Sequence, residues 1–421
     1  MLLYGGRPLN ILHTSDWHLG MTLCGRRRET EAAAFLEWLA NLIKQESIDL
    51  LLVTGDIFDN ASPSTKSQAL YYRFLTDAAA AGCRHIIITA GNHDSPAFLE
   101  APQEILAALN IHIVGKAVPE KPGGTYLLDG PHGIPECIVA AVPYLRERDI
   151  RKSAPGTSID DKAVQIRKGV RLLYQEAWDV ACAMQPPSGP RIPVIVTGHL
   201  FAAGGKTVEG DGVRDQVAGF IERVGADVFP EEAAYVALGH LHVPQIVAGI
   251  DTIRYPGSPL PVGFGEAEHQ KEVVIVTTTP GMTAAVRSVP VPRFRRLTTI
   301  QGDLPAIARR INELKDIGDP VWAEIIYDGA MVPGDLMGQV AKMIDGTRIE
   351  ALRVKDARLI ADALSGHQSC VELEELTVTE VFCQRMEIAD VPPEQRDRLM
   401  TAFLDILSGM DCDEPDEEAA I

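Results

Sequence analysis

Five short motifs in this chain carry side chains of the kind that bind metal ions. They are Asp16-Trp17-His18, Gly55-Asp56, Gly91-Asn92-His93-Asp94, Gly198-His199 and Gly239-His240-Leu241-His242. Hard divalent ions favour oxygen donors, and imidazole widens the choice toward Mn²⁺, Fe²⁺ and Zn²⁺. Two such ions about 3.5–4 Å apart can clamp a phosphodiester and activate a water between them. That chemistry needs one carboxylate able to bridge, with further ligands for each ion. The chain supplies such a set with little surplus. Asp16, His18, Asp56 and His242 are expected to hold one ion. Asp56 as the bridge, Asn92, His199 and His240 are expected to hold the other. Any one motif arises by chance; all five in this order point to phosphoester hydrolysis at two metals.

His93 is left over once the ligands are assigned. Beside Asn92, at the mouth of such a site, it could give a proton to the leaving oxygen. Asp59, just beyond Asp56, could orient and polarise that imidazole, and it reads equally well as an ordinary loop carboxylate. His13, His85, His112 and His132 read as hydrogen-bonded core or loop residues.

Each motif follows an apolar, β-branched run, so strands must deliver these side chains to one sheet edge. Strands are expected at 9–14, 49–54, 85–90, 137–142, 192–197 and 235–238. Helices are expected at 29–45, where Phe35, Leu36, Leu39, Leu42 and Ile43 share a face, at 65–81 and at 161–184. Ser95-Pro96 reads as a helix start. The stretch 119–133 reads as an insertion loop. Runs at 245–248, 252–255, 272–278 and 284–289 suggest mostly antiparallel strands forming a second sheet. The expected architecture is α/β, with two packed β-sheets flanked by helices.

Pro290, Pro292 and Arg293-Phe294-Arg295-Arg296 mark a boundary, and the pattern then restarts. Strands at 297–301, 321–327 and 347–355 with helices at 304–315 and 334–344 suggest a small α+β cap domain. The expected division is 1–291, 292–390 and 391–421. The last part holds a helix at 394–407 with an apolar stripe of Leu399, Phe403, Ile406 and Leu407, then an acidic tail. The stripe could dock on a partner or fold onto its own domain. A further helix is expected at 376–386.

At 421 residues the chain is too long for one ordinary domain. Seven cysteines, none at Cys-x-x-Cys spacing, argue against a disulfide framework or zinc ribbon. No run reaches the roughly 20 apolar residues of a membrane helix, and the first residues lack a signal-peptide pattern. A cytoplasmic protein is expected. The net charge of −19 argues against a free-standing nucleic-acid binder, although a C-terminal acidic run contributes and two bound dications would reverse the local field. A partner is therefore expected to supply much of any DNA affinity. Arg26, Arg27, Arg28, Arg293, Arg295 and Arg296 are candidate phosphate contacts, though a basic run is more often solvated surface.

At these motifs the sequence resembles the calcineurin-like metallophosphoesterase superfamily. A narrower resemblance is to those of its nucleases that act with a coiled-coil ATPase. It rests on Ser15-Asp16-Trp17-His18-Leu19-Gly20, Gly55-Asp56-Ile57-Phe58-Asp59, Pro143-Tyr144-Leu145-Arg146 with Arg148-Asp149, and Tyr255-Pro256-Gly257-Ser258-Pro259-Leu260. It covers the chain as far as Pro290 and is one of layout beyond. Asp59 follows the bacterial pattern; archaeal and eukaryotic counterparts tend to have His. The resemblance implies a Mn²⁺-dependent DNA nuclease of repair and recombination, cutting double strands from their ends and single strands and hairpins internally. It implies a homodimer within a heterotetramer that includes the ATPase. This chain has no Gly-x-x-x-x-Gly-Lys-Ser/Thr loop, so ATP use falls to that partner. The rival readings are a metallophosphatase or cyclic-nucleotide phosphodiesterase of the same superfamily, and a metal-free scaffold that has kept the fold for binding.

Overall fold

In the computed structural model, described residues are 8–117, 124–150, 159–202, 224–316, 320–330 and 334–357, with 396, 399, 400 and 403. The chain forms two compact units, Met1–Lys355 and Asp356–Ile421. The helix expected at 376–386, most of that at 394–407, and the acidic tail lie outside the described residues. Among the described residues, no helix is long and apolar enough to cross a membrane.

In chain order the first unit opens with β1 (Leu9–Thr14), a hairpin of β2 (Thr22–Leu23) and β3 (Arg26–Arg27), α1 (Glu29–Gln45), β4 (Leu50–Thr54) and α2 (Thr65–Ala80). Next come β5 (His85–Thr89), α3 (Pro96–Glu100), α4 (Gln103–Ala107), β6 (Ile111–Val114), β7 (Gly124–Asp129) and β8 (Pro135–Ala141). Then follow α5 (Glu147–Ile150), α6 (Ile159–Ala183), β9 (Val194–His199), β10 (Tyr235–Gly239), β11 (Gln245–Val247) and β12 (Ile250–Tyr255). Finally β13 (Glu272–Thr278) and β14 (Ala285–Pro290) close this part.

Two six-stranded sheets result, in the orders β14-β13-β1-β4-β5-β6 and β11-β12-β10-β9-β8-β7. Their central strands are parallel and apolar on both faces, as strands covered on both sides must be. The alternation is visible residue by residue. Leu50, Leu52, Ile87, Ile195 and Ala237 face the space between the sheets. Leu51, Val53, Ile86 and Ile88 face the layer of α1 and α2. Val194, Val196, Val236 and Leu238 face the layer of α6. The order of layers is helix, sheet, sheet, helix, as expected for this class.

Two sequence expectations are corrected. The run from 245 to 289 does not form one antiparallel sheet. β12 pairs parallel with β10, whereas β13 and β14 return to the first sheet beside β1. The physical reason is that β13 is apolar on both faces: Val273 and Ile275 pack toward α1 and α2, Val274 and Val276 between the sheets. A central position buries both sets. The second correction is at 119–133, where β7 forms an edge strand pairing antiparallel with β8.

His13 joins the two sheets. It is fully buried in β1, with Nδ1 3.0 Å from the Tyr235 hydroxyl and Nε2 3.0 Å from Thr54 Oγ1. Burial, only partly opposed by a backbone hydrogen bond near Leu238, lowers its pKa to about 3. The unfolded chain takes up this proton near pH 6.5, the folded chain only near pH 3. Stability is therefore complete above pH 6.5 and is lost as pH falls toward 3. The shift implies about 2 kcal/mol lost at pH 5 from this residue alone. Urea unfolding in EDTA at pH 7 and pH 5 checks this. His13→Gln should flatten the difference by that amount, and an equally steep fall in the variant would disprove it.

The stretch after β14 builds a separate three-stranded sheet from β15 (Arg296–Gly302), β16 (Val321–Tyr327) and β17 (Ile349–Asp356). α7 (Leu304–Lys315) and α8 (Leu336–Ile344) pack on it through Ile307, Ile311, Leu314 and Val340. Asp303 and Asp335 cap these helices by accepting from the main-chain N–H of Ala306 and Gly338. Leu297 and Trp322 of this sheet pack with Leu23 and with Phe264 and Ala267. Those contacts tie it to two stretches next to the metal motifs.

Candidate metal centre

The ligand candidates gather where β1, β4 and β5 end in the first sheet and β9 and β10 end in the second. Asp16 follows β1, Asp56 follows β4, Asn92 follows β5, His199 ends β9, and His240 and His242 follow β10. Three donors meet in each of three groups: Asp16, His18 and His242; Asp56, His199 and His240; and, sharing His18 with the first, His18, Asp59 and His93. Asn92 Oδ1 joins the second, 3.0 Å from His199 Nε2 and 3.1 Å from His240 Nδ1. Asp56 Oδ2 stands 3.3 Å from His199 Nε2 and 3.8 Å from His18 Nε2, so it faces the first two groups.

The backbone is bent to achieve this. Asp16, His18, Asp56 and His240 all have positive φ, at 53°, 45°, 49° and 103°. Such conformations cost energy in non-glycine residues and persist only where surroundings enforce them. Here hydrogen bonds do so. Asp16 N–H donates to the Gly55 carbonyl at 3.0 Å, His18 N–H to the Asp56 carbonyl at 3.0 Å, and His240 N–H to Asp16 Oδ1 at 3.0 Å. The glycines of the motifs have a matching role. A Cβ at Gly91 would overlap the Asp56 carboxylate, and one at Gly239 would overlap the Thr54 carbonyl and crowd His199. These positions are empty of side chain so that ligand-bearing segments can touch.

The donor set fits divalent cations, because its hydrogen-bonding atoms face one another with the wrong polarity for an empty site. His199 Nδ1 sits 2.9 Å from the Thr54 carbonyl, which can only accept. The ring proton is therefore on Nδ1, and Nε2 turns a lone pair toward the oxygens of Asn92 and Asp56. The Nε2 atoms of His18 and His242 lie 3.3 Å apart, close enough to share one ion or one proton. At His199 an acceptor faces acceptors, an arrangement that a cation between them satisfies. Without an ion a proton fills that place: burial disfavours it on His199, but Asp56 and Asp16 outweigh burial and raise the pKa to about 9. Burial also raises Asp56, yet His199, His18 and His93 pull it far below the ordinary carboxylate range. Burial raises Asp16. Burial, helped by His199, lowers His240 to about 3.

His93 and Asp59 also lie here, with a difference from expectation. His93 Nδ1 is 2.9 Å from the main-chain oxygen of Asp59, not from its carboxylate. That carboxylate stands 3.5 Å from His18 Nδ1 instead. The chain bends after Phe58, and there the carbonyl of Asp59 faces His93 while its side chain faces His18. His93 is thereby held by Asp59, through a different atom.

Asp94 closes the third motif and has a part that the sequence reading did not assign. Its buried carboxylate accepts from the main-chain N–H of Gly91 at 2.8 Å, Phe58 at 3.0 Å and Ile57 at 3.2 Å. It thus ties the Asn92 loop to the Asp56 loop. Burial, then the charge of Asp56, raises its pKa to about 6.

The arginines sort differently from expectation. Arg28 is buried, 2.8 Å from Glu31 Oε1, and donates to the Pro261 carbonyl. Arg295 lies 4.4 Å over the Trp322 ring and 3.7 Å from Glu31. Arg26 pairs with Glu350. Arg28 cannot meet a phosphate, because a buried guanidinium is kept for the carboxylate that compensates its desolvation. These residues fasten the β15–β17 sheet to the site. Arg27 and Arg293 are exposed.

A sequence profile of the calcineurin-like phosphoesterases matches residues 9–244, and one described as the type 5 capsule protein repressor C-terminal domain matches 293–389. The SbcD subunit of the nuclease SbcCD from Escherichia coli strain K12 is 33% identical over 399 residues, 94% of this chain and 97% of its own. Proteins of the same name are similar in two other bacteria. That of Rhodobacter capsulatus is 37% identical over 68% of this chain and 70% of its own. That of Bacillus subtilis is 34% identical over 67% and 69%.

Proposed function

Because the chain belongs to the calcineurin-like phosphoesterases, and among them to the SbcD nucleases, we propose that it is a metal-dependent DNA nuclease. One ion would be held by Asp16, His18, Asp56 and His242, the other by Asp56, Asn92, His199 and His240. When bound, the ions supply positive charge against the phosphodiester and acidity for the attacking water. The mixed carboxylate, amide and imidazole set favours Mn²⁺ over Mg²⁺, which prefers oxygen alone.

The chain's own residues do the rest. Asp56 faces both ligand groups and so sets their spacing. Asp94 keeps the Asn92 and Asp56 loops in register. His93, its Nδ1–H tied to the Asp59 carbonyl, has Nε2 left to deliver a proton to the leaving oxygen. The part spanning 292–390, fastened through Leu297, Trp322 and Arg295, would act as a cap restricting which DNA shapes reach the ions. Activity on double-strand ends as an exonuclease, and on single strands and hairpins as an endonuclease, fits such a restricted site. The part spanning 391–421 would dock on an SbcC-like coiled-coil ATPase, in a heterotetramer built on a homodimer. With a net charge of −19, that partner would supply much of the DNA affinity. The setting would be repair and recombination in the cytoplasm.

The observation that carries DNA as the substrate is the reach of the similarity. It extends over 94% of the chain to a nuclease subunit, past the phosphoesterase part and through the cap. A phosphatase or cyclic-nucleotide phosphodiesterase would need only the first part. The test compares labelled linear duplex, hairpin and single-stranded DNA with small phosphomonoesters and cyclic nucleotides, each with Mn²⁺ and with EDTA. Mn²⁺-dependent DNA cleavage is expected. Hydrolysis of only the small esters would transfer the reading to the phosphatase alternative.

A further inference from the structure

A buried ionic network stands behind His242, and the two-ion reading leaves it unused. Glu266 is wholly inaccessible and Lys271, just before β13, nearly so. Lys271 Nζ pairs with Glu266 Oε2, donates to Ser258 Oγ at 3.0 Å, and donates to the main-chain oxygen of His242 at 2.8 Å. Ser258 N–H donates to that same oxygen at 3.1 Å. Val262 N–H donates to Glu266 Oε2 at 3.2 Å. The other carboxylate oxygen, Oε1, is 3.5 Å from His242 Nδ1 and has no hydrogen-bond partner among the described residues.

A buried charge is costly unless it is paired, and a bare carboxylate oxygen in a dry interior is costly in its own right. Lys271 settles the charge but leaves Oε1 over. What Oε1 faces is the far nitrogen of an imidazole whose near nitrogen, Nε2, points at His18 and the first ligand group. His199 meets the same need differently, with its Nδ1–H against the Thr54 carbonyl. A partner on the far nitrogen fixes which tautomer the ring adopts and which way it points.

We propose that Glu266 is a positioning residue for His242. It accepts the Nδ1–H, so that Nε2 presents its lone pair to the ion shared with Asp16 and His18. Lys271 anchors the carboxylate from behind and holds the His242 backbone through its carbonyl. Since the ammonium cancels the carboxylate, Glu266 adds direction rather than net charge to the site. This role rests on the two-ion reading above and extends it to a residue 24 positions further along the chain, beyond the motifs.

The test is Mn²⁺ titration of the full chain by calorimetry and electron paramagnetic resonance, beside melting in EDTA. Two variants are used. Glu266→Asp keeps the charge pair but draws the carboxylate away from Nδ1. The double variant Glu266→Met with Lys271→Met roughly keeps the volume and removes both charges together with the acceptor facing Nδ1. In each, one of two ions should bind about 10–100-fold more weakly, the other should be little changed, and the coupled-pair signal should give way to that of single Mn²⁺. Either variant that melts cooperatively and binds both ions as the native chain does overturns the proposal. Equal weakening at both sites also overturns it, because it would mean a general loss of structure. Failure of the two-ion reading looks different: the native chain itself would then not take up two ions.

Discussion

Replacing Asp56 by asparagine is expected to leave the fold intact and abolish Mn²⁺-dependent hydrolysis, by at least about 10³-fold, since the charge stabilisation at stake is several kcal/mol. The substitution is nearly isosteric, and asparagine tolerates the φ of 49° at this position better than most residues. One side-chain oxygen can still accept the His93 main-chain N–H, which Asp56 Oδ1 now accepts at 2.9 Å. What changes is the atom facing His199. In place of an anionic oxygen at 3.3 Å, the amide can offer an N–H to the Nε2 lone pair. That hydrogen bond satisfies the imidazole with no cation present. The residue facing both ligand groups thus loses its charge and also fills the place of the ion. Mn²⁺ stoichiometry and the rate of duplex cleavage are the measurements. A variant that bound two ions, or kept more than a tenth of the rate, would show that Asp56 does not bridge.

Residues differ in how far their sequence neighbours betray them. Helix α1 was readable to the residue because Phe35, Leu36, Leu39, Leu42 and Ile43 repeat with helical spacing and are all buried. The strands before each motif were readable because runs such as Leu50–Thr54 are buried throughout. An apolar run reports burial on both faces but not the neighbour, which is why the sheet joined by β13 could not be inferred. The three arginines 26, 27 and 28 are alike in sequence. Only the fold turns the third inward to Glu31.

At the site, the ligand motifs were legible because each sets ligand types at the end of a strand, four of the five beside a glycine. The reason for the glycines was not, since it lies in contacts across the chain, such as Gly91 against Asp56. Spacing also cannot tell which atom of a residue acts. Asp59 reaches His93 with its carbonyl and His18 with its carboxylate. Glu266 and Lys271 sit in no motif of their own and touch His242 only through the fold. The sequence signal closest to them is a lysine just before the strand Glu272–Thr278.

His93→Ala should separate ion binding from chemistry. Among the described residues, no hydrogen bond runs from the His93 side chain to either ligand group. Its ring meets that of His18 edge-on, with centroids 4.9 Å apart, and its Nδ1–H is given to the Asp59 carbonyl. The backbone N–H, which alanine keeps, is what holds Asp56 Oδ1. Both ions should therefore bind with native affinity in the variant. The lost imidazole is the proton donor for the leaving oxygen, and such a group contributes roughly 10²–10⁴-fold. The loss should fall on kcat rather than on DNA affinity. It should also depend on the leaving group. An ester with an acidic phenol needs no proton, so its cleavage should fall far less than that of DNA. Equal losses on both substrates would remove His93 from proton transfer, and loss of an ion would make it a ligand.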